Sequence, residues 1–78
     1  MRTTDGMSLT GYADLVRRVV AWVAAQEGYP TYRQIGRRYR LTMDEVADVI
    51  ADSDAYGPAL RVRERTPVRG DTTVEVVR

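Results

Sequence analysis

Arginine carries most of the chemistry this sequence can offer. Arg33, Arg37, Arg38 and Arg40 fall within residues 31–41, a stretch that holds no acid. Arg61, Arg63 and Arg65 alternate along a second stretch, and Arg69 follows close behind. A guanidinium is a permanent cation whose planar fork of donors matches the oxygens of a phosphate. Between the two groups lies the opposite charge. Asp44, Glu45, Asp48, Asp52 and Asp54 fall within residues 42–54, which hold no base. The net charge of +1 over 78 residues therefore conceals local balances of +4 for residues 31–41, −5 for residues 42–54 and +2 for residues 58–78. A polyanionic partner responds to that local pattern and not to the total.

Other chemistries are poorly provided for. Histidine and cysteine are absent, so neither is there to act as nucleophile, general base or soft metal ligand. No glycine-rich phosphate loop is present. Asp44, Asp48 and Asp52 share one face at four-residue spacing, but a hard cation needs six or more oxygens and no loop completes the set. Neither an enzyme nor a cofactor is expected. No apolar run reaches membrane-spanning length and no signal-peptide core opens the chain, which predicts a cytoplasmic protein with no membrane partner. Lysine, asparagine and phenylalanine are absent too; their codons are AT-rich, so a GC-rich genome explains part of the arginine content.

The elements that position these side chains can be read from caps and periods. Thr31 and Thr42 each precede, by three residues, a side chain that can reach back, Gln34 and Glu45. Each is a capping-box signature, and the two predict short helices over about Tyr32–Tyr39 and Met43–Asp52. Starts this close leave room only for a tight turn. Upstream, Tyr12, Leu15, Val16, Val19, Trp22, Val23 and Gln26 recur at helical spacing and predict a first helix from about Thr10 to Glu27. Gly28 before Tyr29-Pro30 is expected to end it in a left-handed conformation. Residues 1–9 read as a flexible polar lead-in and residues 10–78 as one domain. Beyond Asp54 the period falls to two. Leu60 to Arg65 and Thr72 to Arg78 predict a hairpin with Leu60 and Val62 opposite Val74 and Val76, joined by a turn at Pro67 and Gly70. The fold class is α+β: a three-helix core followed by a β-hairpin.

This order resembles winged helix-turn-helix DNA-binding domains. Glu27-Gly28-Tyr29-Pro30 running into Arg33-Gln34-Ile35-Gly36 is similar to the start of the N-terminal domain of LexA repressors, where Gly-Tyr-Pro leads into an Arg-Glu-Ile-Gly helix. Ile35, Gly36, Tyr39, Leu41, Val46 and Val49 match the pattern's apolar and small positions. Arg40 stands where the family usually has glycine, so a positive φ is expected there. The resemblance implies a small sequence-specific DNA-binding protein, a transcriptional regulator of bacterial or phage type. Its third helix would enter the major groove of double-stranded DNA and present Thr42, Met43 and Ala47 along with Asp44, Asp48 and Ala51. Tyr32, Arg33, Arg37, Arg38 and Arg40 would meet phosphates. Arg61, Arg63 and Arg65 would share one strand face, and Arg69 would reach a minor groove from the tip of the wing.

Two aspartates on a groove-facing helix oppose that reading, since each meets phosphate repulsion and can help only by accepting from a cytosine amino group. The alternative is a winged-helix module that binds a protein partner through Asp44, Asp48 and Asp52, with head-to-tail self-association as one form of it. For the arginines of the second helix, phosphate contact competes with pairing to those same aspartates or with simple solvation. The outward arginines of the hairpin can equally serve to keep an edge strand soluble. Trp22, Tyr12 and Tyr39 are expected in the core. Arg69-Gly70-Asp71 spells an adhesion tripeptide, for which a turn is sufficient explanation. A homodimer or tandem sites are expected if DNA is the ligand, because one copy of so small a module grips weakly.

Overall fold

Local signals decide where the helices begin. In the computed structural model, which describes residues 9–77, helix α1 spans Leu9–Ala25, α2 spans Tyr32–Tyr39 and α3 spans Met43–Asp52. The lead-in predicted for residues 1–9 otherwise lies outside the described residues. Both capping boxes form. The Thr31 hydroxyl accepts from the Gln34 amide at 3.1 Å, and the Gln34 side chain accepts from the Thr31 amide at 2.9 Å. Thr42 and Glu45 repeat the arrangement at 3.2 and 2.9 Å. Two otherwise orphaned N–H groups are thereby satisfied at each helix start.

The turn between α2 and α3 contains only Arg40, Leu41 and Thr42. Arg40 adopts φ 56° and ψ 49°, the left-handed conformation expected there. The Leu41 amide then donates to the Gly36 carbonyl at 2.8 Å, and the Leu41 side chain is buried. Gly36 is required by the crossing: a Cβ at that position would lie 2.8 Å from both the Leu41 carbonyl oxygen and the Met43 methyl carbon.

The end of α1 differs from expectation. Gly28 has no left-handed φ; among the described glycines only Gly57 has a positive value. The Gln26 side chain instead donates to the Trp22 carbonyl at 3.0 Å, and the Gln26 amide donates to Val23. These bonds satisfy the last carbonyls, so the helix stops short of Glu27. The buried stripe of α1 is Ala13, Val16, Val19, Val20 and Val23. Val16 and Val19 are fully buried and Ala13 and Val20 close one edge of the stripe, whereas Tyr12, Leu15 and Trp22 are half-buried. Rings reach the core from the edge of a stripe, so a pattern drawn through aromatic residues is rotated from the true axis. Trp22 packs edge-on against Tyr39, with ring centroids 6.2 Å apart.

The hairpin consists of β1, Leu60–Glu64, and β2, Thr73–Val76, in antiparallel register with Leu60 opposite Val76 and Val62 opposite Val74. Leu60 and Val74 are buried against Val16, Val19, Ile35, Val46 and Val49. A bulge between Val62 and Glu64 breaks the alternation at Arg63, so β1 ends at Glu64 and Arg65 belongs to the connection. Ser53 welds α3 to β1. Its buried hydroxyl donates to the Ile50 carbonyl and accepts from the Leu60 amide, both at 2.7 Å.

One pairing has no signature in the sequence. Thr31 bridges Thr73 antiparallel, with the Tyr32 amide donating to Thr72 at 3.0 Å and the Val74 amide donating to Pro30 at 2.9 Å. The segment leading into α2 thus lies along the free side of β2. Three helices and a two-stranded antiparallel hairpin, an α+β arrangement, are clipped together at the start of α2.

Candidate nucleic-acid interface

Helix α2 exposes its cations because its apolar residues, Tyr32, Ile35 and half-buried Tyr39, claim the inward side. Arg37, Arg38 and Arg40 are exposed, and no described carboxylate pairs with any of them. Among the described ion pairs, none joins these arginines to Asp44 or Asp52. Arg37 and Arg38 line an open cleft of about 430 Å³ with Gln34, Trp22 and Tyr29. Arg65, also exposed, likewise has no described partner.

The remaining arginines are engaged. Arg33 donates to Asp71, and its guanidinium lies against Gly70, where a Cβ would come within 2.8 Å of Nη2. Arg61 meets Glu75, its cross-strand neighbour, at 2.7 Å. Arg63 sits 4.0 Å from the centre of the exposed Tyr29 ring and 3.6 Å from Glu64. That is a cation–π contact made possible by the bulge. Exposed contacts of these kinds are weak, about 0–1 kcal/mol each. They orient an arginine without withdrawing it from an incoming phosphate.

Three of the residues expected to meet DNA are turned inward, Tyr32 fully and Met43 and Ala47 in part. Tyr32 is only 6% exposed and belongs to the core, because the capping box at Thr31 turns its ring inward. Met43 and Ala47 are half-buried against the core cluster, with the Met43 methyl against Gly36. The outward face of α3 is instead Thr42, Asp44 and Ala51, with Asp48 half-buried beside them.

Arg69 is placed differently from the wing tip expected of it. The connection from Arg65 to Thr72 contains a 3-10 turn over Arg69–Asp71 and folds back over α2. Arg69 Nη1 then lies 2.6 Å from Asp44 Oδ1, at the first turn of α3. Asp71 and Tyr29 take part in the surface without having been singled out for it, with Gly70 buried beneath the Arg33 guanidinium. Only their opposite charge or aromatic character could have marked them, since Asp71 and Arg33 are 38 residues apart.

The carboxylates of α3 are correspondingly less free than their spacing suggests. Asp44 holds Arg69 and Asp52 accepts from the Tyr12 hydroxyl. Burial raises the Tyr12 phenol above its ordinary value, and the Asp52 hydrogen bond and charge raise it further. No described helix is long and apolar enough to cross a membrane. Compared with known proteins, the chain matches no family model, no curated protein and no solved structure.

Proposed function

We propose that this chain is a small winged helix-turn-helix protein that binds double-stranded DNA and acts as a cytoplasmic transcriptional regulator of bacterial or phage type. The observation that carries the reading is the surface around the α2–α3 turn. Two capped helices meet there at a three-residue turn, and Arg37, Arg38 and Arg40 flank it with no described partner. In the first turn of α3, Asp44 is exposed. The winged assignment draws support from β2, which pairs with both β1 and the segment before α2. In this reading α3 enters the major groove and the arginines hold phosphates. Two copies on adjacent half-sites supply the affinity that one small module lacks.

The protein-binding alternative has less support. A basic partner would need Asp44, Asp48 and Asp52 presented as a free stripe, and all three take part in contacts within the molecule.

Binding of a random-sequence duplex, followed by anisotropy across a salt series, tests the proposal. Each phosphate neutralised contributes about −0.9 to the slope of log affinity against log salt. Four unpartnered arginines therefore predict a slope near about −3.6. Absence of binding at low salt, or binding with no slope, would overturn it.

A further inference from the structure

We infer that Arg69 and Asp44 form a single base-reading unit directed at a G·C pair in the major groove. The inference rests on the DNA-binding reading above and specifies what that site recognises. Asp44 lies in the first turn of α3, the part of a recognition helix that approaches base edges. Its side chain is 86% exposed and that of Arg69 is 52% exposed. One guanidinium nitrogen, Nη1, is bound to one carboxylate oxygen, Oδ1. The other side of the guanidinium and the second carboxylate oxygen have no described partner.

The pair therefore offers donors beside an acceptor. Guanine presents two acceptors, O6 and N7, to the major groove, and its cytosine presents one donor, the N4 amino group. An arginine fork fits the first and a carboxylate the second. Adenine in the place of guanine, with thymine in the place of cytosine, mismatches both, since the adenine amino group confronts the fork and thymine offers the carboxylate no donor. The same pairing removes the objection raised by Asp44. A bare carboxylate in the groove would repel phosphate, whereas one held at 2.6 Å from a guanidinium is locally neutralised.

The unit is also held in place. Gly70 packs against the Arg33 guanidinium, and Asp71 accepts from Arg33. The Thr72 amide donates to the Arg69 carbonyl at 3.1 Å. The backbone of Arg69 is thus fixed to α2 while its side chain is fixed to α3. An arginine ordered before binding loses less freedom on docking. So exposed a pair adds little to stability; its consequence is orientation.

The test begins with selection of preferred duplexes from a random library by the full chain. Affinities for the selected duplex, and for versions with each G·C pair exchanged for A·T, are then measured for wild type, Arg69→Lys and Asp44→Ala. Both residues are exposed, and thermal unfolding verifies that the variants fold. Lysine keeps the charge but lacks the fork. The expected result is one G·C position whose exchange weakens wild type about 5- to 100-fold. At that position Arg69→Lys discriminates less than wild type, because lysine lacks the planar fork, and Asp44→Ala narrows the discrimination too. If wild type and Arg69→Lys discriminate equally at every position, this inference falls and the DNA-binding reading stands. If wild type binds no duplex even at low salt, both fall.

Discussion

Arg40 holds a backbone conformation that L side chains adopt at a cost of about 1–2 kcal/mol. Glycine would relieve that strain, offset in part by its greater freedom in the unfolded chain, worth about 0.5–1 kcal/mol. The difference favours glycine slightly. Arg40 is also one of the exposed cations with no described partner. Arg40→Gly is therefore expected to raise stability by up to about 1 kcal/mol in urea unfolding. In the same variant the salt slope of duplex binding should shrink by about 1. A variant that is both less stable and unchanged in binding would show that Arg40 serves the turn and not the ligand.

At the scale of elements, what the sequence revealed depended on how local each signal was. The bounds of α2 and α3 follow from Thr31, Gln34, Thr42 and Glu45, whose bonds close within three residues. The hairpin register was legible too, because sliding it by one residue would turn Leu60 and Val74 outward. The clip of Thr31 to Thr73 was not legible, nor was the fold-back that brings Arg69 to Asp44, since both join residues far apart in the chain. For the candidate site, the arginine positions could therefore be read but not their partners. Tyr12 and Asp52 illustrate the same limit: they tie the start of α1 to the end of α3 across 40 residues. That contact has a consequence in pH. The folded Tyr12 phenol titrates above its unfolded value, near about 10, so the fold retains a proton that the unfolded chain releases. Its contribution to stability is complete below about pH 10 and is lost as pH rises from there through the higher folded value. Unfolding midpoints should drop above about pH 10 for wild type, and drop less for Tyr12→Phe. Parallel curves for the two proteins would remove Tyr12 from the account.

Across the whole molecule the charges sort into two kinds, and salt should separate them. Five described arginine–carboxylate pairs are exposed or nearly so: Arg18 with Asp14, Arg33 with Asp71, Arg61 with Glu75, Arg63 with Glu64 and Arg69 with Asp44. Pairs of this type contribute about 0–1 kcal/mol each, and salt weakens the attraction together with the repulsion between like charges. The core of Val16, Val19, Ile35, Val46, Val49 and Val74 carries the fold and is nearly indifferent to moderate salt. Arg37, Arg38, Arg40 and Arg65 have no described carboxylate partner, and on the proposed DNA-binding reading their effect follows counterion release. Raising salt tenfold should thus change unfolding free energy by less than about 1 kcal/mol. The same change should weaken duplex binding by between about three and four orders of magnitude, the consequence of a slope near about −3.6. Chemical unfolding and anisotropy on one preparation, at the same salt concentrations, measure both. A stability loss of several kcal/mol over that range would mean that the arginine–carboxylate pairs hold the fold together, and the fall in binding would then report unfolding instead of released ions.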